Sequence, residues 1–147
     1  MLKILIIGGT GNISSSVSRL TVEKGYSLTI LNRGNNERIE GAEHITGDAG
    51  DERSLRKALA GRTWDVAVDF IAFNEADALK DIAVFSGRVG QFIFISSASC
   101  YAKPVRTYPI NESVPLSNPY SPYAQNKIKA EMALMEAFRS SGFPVTI

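Results

Sequence analysis

The apolar run Leu2–Ile7 stops at a glycine turn, Gly8-Gly9-Thr10-Gly11-Asn12-Ile13-Ser14, and a helical pattern follows it to Lys24. A buried strand, a glycine turn and a helix in that order confine the chain to few folds. Glycine lets the backbone turn sharply without a Cβ and lets a phosphate come close, while the helix N-terminus behind it offers unpaired N–H groups and a positive dipole end. Residues Gly8–Ile13 are therefore expected to cradle the pyrophosphate of a dinucleotide. At the third position of the G-x-x-G-x-x-G spacing stands Ser14, which holds the helix slightly further from the strand than glycine would and is small enough to be tolerated.

The rest of the chain alternates in the same way. Strands are expected at Leu2–Ile7, Ser27–Leu31, Ala42–Thr46, Asp65–Ile71 and Gln91–Ser96, with a last one opening at Pro144. Helices are expected at Asn12–Lys24, Glu52–Leu59, Glu75–Phe85 and Pro122–Ser140. Runs such as Ile4-Leu5-Ile6-Ile7 and Phe92-Ile93-Phe94-Ile95 are apolar on both faces, as strands are when helices cover both sides of a parallel sheet. The expected fold class is α/β, a doubly wound parallel sheet in three αβα layers. The chain stops at Val145-Thr146-Ile147, just as a strand begins; this reads as a truncated chain, or alternatively as a short edge strand completing the domain.

Composition excludes several classes. The chain has 147 residues and a formal net charge of +1 without a basic cluster, which speaks against nucleic acid or an anionic membrane surface as the main partner. No apolar stretch approaches the roughly 20 residues of a membrane span, and the N-terminal run breaks too early for a secretory signal. The single cysteine, Cys100, has no internal disulfide partner and fits a reducing compartment. A cytoplasmic location is expected.

Chemistry concentrates at the C-terminal ends of the expected strands, where open α/β sheets bind ligands. After the second strand, Leu31-Asn32-Arg33-Gly34 lacks the acidic residue that would accept from a ribose 2′-OH. An arginine there can pair with a 2′-phosphate, so Arg33, with help from Arg38, favours NADP(H); a solvated surface arginine is the other reading. Asp48, in Gly47-Asp48-Ala49, either accepts from an adenine amino group or caps the helix near Asp51 or Glu52. Ser96, Ser97, Ser99 and Tyr101 put hydroxyls at the end of the fifth strand. Tyr123 and Lys127 lie four apart near a helix start, on one face. An ammonium beside a phenol favours its ionised form, which otherwise predominates only above about pH 10, and so makes the phenol a usable acid or base.

Smaller features have structural readings. His44, the only histidine, has no evident metal or triad partner. Asn74, Glu75 and Asp77 suit a helix start, and Ile128, Met132, Met135 and Phe138 form an apolar stripe at helical spacing.

Together, Ile6-Ile7-Gly8-Gly9-Thr10-Gly11-Asn12-Ile13-Ser14, the segment Ser96–Tyr101 and Tyr123-Ala124-Gln125-Asn126-Lys127 resemble the short-chain dehydrogenase/reductase superfamily, in its extended branch of NAD(P)-dependent sugar-nucleotide epimerases, dehydratases and reductases. The resemblance covers essentially the whole chain. It implies a single NAD(P)-binding Rossmann domain over residues 1–147, with a C-terminal substrate domain missing, since members run to about twice this length. It implies that Ser97 matches the catalytic Ser/Thr, that Tyr123 matches the acid/base, and that Lys127 matches the lysine that binds the nicotinamide ribose and tunes the tyrosine. Gly8, Gly11 and Asp48 match cofactor positions, and Thr10, Asn12, Ile13, Asn32, Arg33, Ala49, Phe70, Ile71 and Ala72 join them as expected contacts. The loop from Asn111-Glu112 to Pro119-Tyr120 resembles the segment passing over the substrate cleft. Helices 75–85 and 122–140 are expected to form a homodimer, as a comparable helix does in the extended branch.

The implied activity is hydride transfer between NADP, or NAD, and a nucleotide-sugar-like or other hydroxyl- or carbonyl-bearing small molecule. Asn12-Ile13-Ser14 looks more like an atypical branch that includes chloroplast stem-loop-binding proteins tied to RNA, so a non-catalytic dinucleotide sensor or RNA-associated protein is the alternative.

Overall fold

The computed structural model describes residues 1–34 and 38–147. Six strands form one sheet in the order β3-β2-β1-β4-β5-β6, every neighbouring pair parallel. They are β1 (Lys3–Ile7), β2 (Ser27–Asn32), β3 (Glu43–Thr46), β4 (Trp64–Asp69), β5 (Val89–Phe94) and β6 (Val145–Thr146). The helices are α1 (Ser14–Glu23), α2 (Glu52–Ala58), α3 (Glu75–Phe85) and α4 (Pro122–Ser141), with a 3-10 turn at Ala98–Cys100. This is the doubly wound Rossmann-like arrangement the alternation predicts.

The apolar strands explain the layers. One face of the sheet packs Leu5, Ile7, Ala67, Phe92 and Phe94 against Leu55, Phe85 and Leu134 of α2, α3 and α4. The other buries Ile6, Leu28, Ile30 and Val68, with Val22 of α1 packed against them. Alternate residues of β1 thus serve opposite cores, as the pleat requires. Winding runs outward from β1 to β3, then returns to lay β4, β5 and β6 on the opposite side of β1. The switch point, where such sheets open a crevice, is therefore between the C-terminal ends of β1 and β4.

Three boundaries beside the crevice lie two residues from where the sequence reading puts them. Helix α1 starts at Ser14 rather than Asn12 because its first bond, Ser15 N–H to Gly11 C=O at 2.9 Å, begins only after the glycine turn has closed. Strand β4 ends at Asp69, two residues before Ile71, because the Asp69 carboxylate takes the N–H groups of Ile71 and Ala72 at 2.5 and 2.9 Å and bends the chain out of the ladder. Strand β5 ends at Phe94, not Ser96. Strand β6 is a short edge strand paired to β5 through Phe92–Val145 and Ile93–Thr146.

Candidate active site

The glycine turn sits at the switch point and packs so closely that side chains would not fit. Gly8 has φ +74°, and a Cβ there would lie 2.6 Å from Ile71 Cγ2 in the loop after β4. A Cβ on Gly9 would meet Ser18 Oγ at 2.9 Å and Ile30 Cγ2 at 3.1 Å. The serines of α1 brace this turn from behind: buried Ser14 donates to Gly8 C=O at 2.5 Å and accepts from Gly11 N–H at 2.9 Å, and buried Ser18 donates to Gly9 C=O at 2.7 Å. Ser14 therefore does more than pass where glycine would stand, since its hydroxyl locks the turn.

The start of α1 differs from the other helices. Asp51, Asn74 and Ser121 cap α2, α3 and α4, each side chain accepting a backbone N–H of the first turn. Among the described residues no side chain caps α1, whose N-cap position is the exposed Ile13. Ser15 N–H donates to Gly11 C=O, and without a side-chain cap the positive end of the helix is open to an anion. Beside it opens a hollow of about 410 Å³ lined by Thr10, Gly11, Asn12, Ser15, Arg19 and Ile39.

Along the crevice toward β3, Asn32 accepts from Gly34 N–H at 2.8 Å and Arg33 is exposed. Of the two readings of Asp48, capping is excluded: Asp51 caps α2, while Asp48 Oδ1 accepts from Gly50 N–H at 2.9 Å and its own N–H donates to Ser54. Ala49 is buried beside it.

At the other end, Lys127 is 2% exposed. Its ammonium donates to the carbonyls of Ala72 at 2.9 Å and Ile95 at 2.5 Å and lies 4.0 Å from the centre of the Phe94 ring. Burial pushes it below the usual lysine range, with Asp69, Cys100 and Glu131 opposing. Tyr123, one turn earlier, is 47% exposed, its ring 6.4 Å from that of Phe73. The pair thus shares a helix but not an environment, because the loops after β4 and β5 supply carbonyls that draw the lysine inward.

Ser97 sits at the head of the 3-10 turn, its Oγ accepting from Ser99 N–H at 3.2 Å and lying 2.8 Å from Ser99 Oγ. Ser96, expected to face the crevice, instead donates to Glu131 of α4. Buried Cys100 lies behind it, its thiol pushed up mainly by burial. The loop from 101 to 120 is fastened by a Tyr101–Leu116 bridge and by buried Asn118, which donates to Ser99 C=O at 2.8 Å. It encloses a hollow of about 440 Å³ lined by Lys103, Arg106, Thr107 and Ser113 among others. His44 Nε2 contacts the backbone of Ile39. Among the described residues no group of three His, Cys, Asp or Glu is placed to hold a metal, and no helix is long and apolar enough to cross a membrane.

Gly8, Gly11, Asn12, Ile13, Phe70, Ile71 and Ala72 gather at the switch point, Asn32, Arg33 and Asp48 at one end, and Ser97, Tyr123 and Lys127 at the other. Sequence reasoning missed Ser18, Asp69 and Lys80. A charge closing the apolar strand Val66-Ala67-Val68-Asp69 is a legible signal, and so is a second serine one turn after Ser14; Lys80, on an ordinary helix surface pattern, carries none.

The sequence profile of the NAD dependent epimerase/dehydratase family matches residues 4–147. The UDP-glucose 4-epimerase of Lactobacillus helveticus is 27% identical over 99% of this chain and 50% of its own. The chloroplast stem-loop binding protein of 41 kDa b of Arabidopsis thaliana is 30% identical over 69% of this chain and 30% of its own. Among solved structures, UDP-glucose 4-epimerase from Bifidobacterium longum in complex with NAD+ and UDP superimposes with a TM-score of 0.82 at 21% identity, covering 97% of this chain and 51% of that one. The chain thus spans about half the length or less of these proteins.

Proposed function

The chain belongs to the NAD-dependent epimerase/dehydratase family, and from that premise we propose that it binds a nicotinamide dinucleotide across the switch point and acts on a hydroxyl or carbonyl group of a nucleotide-sugar-like substrate. The observation that carries this reading is the contrast among helix starts: among the described residues α2, α3 and α4 are capped by side chains, while α1 is not and stands behind a glycine turn with no room for a Cβ at Gly8 or Gly9. Residues Gly8–Ile13 would hold the pyrophosphate, Asp48 the adenine, and Phe70, Ile71 and Ala72 the wall between adenosine and nicotinamide. Arg33, exposed after β2, would pair with a 2′-phosphate and favour NADP(H) over NAD(H).

The bound dinucleotide supplies a hydride donor or acceptor. Tyr123 transfers the proton at the substrate oxygen, and Ser97 Oγ holds that oxygen. An ammonium has three donors; Lys127 commits two to Ala72 and Ile95, and the third serves the nicotinamide ribose. Exposed Leu79, Met132 and Phe138 on α3 and α4 support a homodimer through these helices.

Titration with NADPH and NADH, repeated with Arg33→Ala, tests the cofactor site: tighter NADPH binding that collapses in the variant is expected, and binding of neither cofactor overturns the reading. Tyr123→Phe should abolish turnover while leaving cofactor affinity intact.

The identity to the stem-loop binding protein favours a second reading, an RNA-associated protein without catalysis. Affinity for a stem-loop RNA that falls steeply with salt would favour it over the first.

A further inference from the structure

Asp69 closes β4 and Asp81 lies on the inner side of α3, at 1% and 0% exposure. Asp69 Oδ2 and both oxygens of Asp81 find no hydrogen-bond donor among the described residues, and the two carboxyl groups lie close enough for each to feel the other. Two carboxylates facing in a dry site repel, and one proton between them converts that repulsion into an O–H···O bond. Burial pushes both groups up, while Asp69 Oδ1 accepts the Ile71 and Ala72 N–H groups, which favours its charged form. Asp81, which no donor reaches, is the better place for a proton, and Asp69, with two N–H donors, for the charge.

Lys80 extends the chain of contacts. Its ammonium lies 3.8 Å from Asp81 Oδ1 and 3.7 Å from Asp77 Oδ1, and it donates to the carbonyl of Ala49. A row of neighbouring groups then runs from Ala49, beside Asp48, through Lys80, Asp81 and Asp69 to the N–H of Ala72, whose carbonyl is held by Lys127. We propose that Lys80, Asp81 and Asp69 are positioning residues that couple the two ends of the crevice, tying the Asp48–Ala49 loop to the 70–72 loop through this buried carboxyl pair and its lysine. This rests on the dinucleotide reading.

Facing the carboxyl pair are Lys80 and Asp77 from α3 and Lys127 from α4, with Glu131 and Cys100 next to Lys127. A group whose folded value is raised contributes stability fully present below its unfolded value and lost as pH rises through the folded one. Asp81→Asn keeps a donor toward Asp69 that does not titrate, and Asp81→Leu removes it.

The experiment measures unfolding stability and NADH and NADPH affinity between about pH 5 and about pH 10 for the wild type, Asp81→Asn, Asp81→Leu and Lys80→Met. The wild type should lose stability and affinity as pH rises, Asp81→Asn should restore both at high pH, and Asp81→Leu and Lys80→Met should bind roughly 10-fold more weakly near neutrality. If Lys80→Met binds as tightly as the wild type, or Asp81→Asn follows the wild-type pH profile, the coupling is overturned and the cofactor reading stands. If the wild type binds neither cofactor, both fall. Should Asp81→Leu not fold, the asparagine and methionine variants decide the matter.

Discussion

The ammonium of Lys127 donates to the carbonyl of Ala72 at 2.9 Å, and the N–H of the same Ala72 donates to Asp69 at 2.9 Å. One residue of the loop after β4 is thereby held at both ends by buried charges of opposite sign, one from α4 and one from its own strand. The wall of the crevice beside the glycine turn is set by this clamp together with the packing of Ala72 in the core.

Replacing Lys127 with Met keeps the apolar stem and leaves the Ala72 and Ile95 carbonyls without their donor. Each buried acceptor so orphaned costs about 1–3 kcal/mol, so Lys127→Met should lower unfolding stability by at least about 2 kcal/mol, measured by denaturant titration. Unchanged stability would mean that water replaces the ammonium and the clamp is dispensable.

Restoring the more usual glycine at position 14 should weaken the protein. Ser14→Gly removes the bonds to Gly8 and Gly11 and loosens the first turn of α1, at a combined cost of about 1–2 kcal/mol. A thermal melt of the variant decides; a higher midpoint would show that the serine is only tolerated.

The uncapped start of α1 separates stability from binding. Ile13→Asp puts a negative charge at the positive end of the helix, which should stabilise the fold by about 0.3–1 kcal/mol. The same charge opposes a phosphate and should weaken dinucleotide binding by about tenfold or more. Melting and titration on one sample give both numbers, and equal affinity would move the pyrophosphate away from this turn.

Cys100 is fully buried behind Ser96, and burial holds its thiol above the usual range. Thiolate is the reactive form, so native protein should resist alkylation near neutral pH and react promptly once unfolded. Mass spectrometry after a timed iodoacetamide pulse reads this directly.

The strand–turn–helix order at residues 2–24, the two-faced apolar strands and the parallel sheet were legible in the sequence, because each depends on local periodicity and on glycines that only a tight turn requires. That Gly8, Arg33, Asp48 and Ser97 follow the C-terminal ends of their strands was also legible, since parallel strands put those ends on one side. Where strands stop was not. Asp69 ends β4 early by capturing two N–H groups beyond it, Ser96 turns to Glu131 on a helix 35 positions away, and Asp51 rather than Asp48 caps α2.

The sequence by itself determined the fold class and the place of the crevice, through patterns read over a few neighbouring residues. Only the tertiary structure decided which polar groups are buried together. Lys127 turning inward to Ala72, Lys80 reaching Ala49 and Asp69 near Asp81 join residues 55, 31 and 12 positions apart, and the dry interior created by packing the sheet against α3 and α4 makes each buried charge depend on the polar groups that the fold brings beside it.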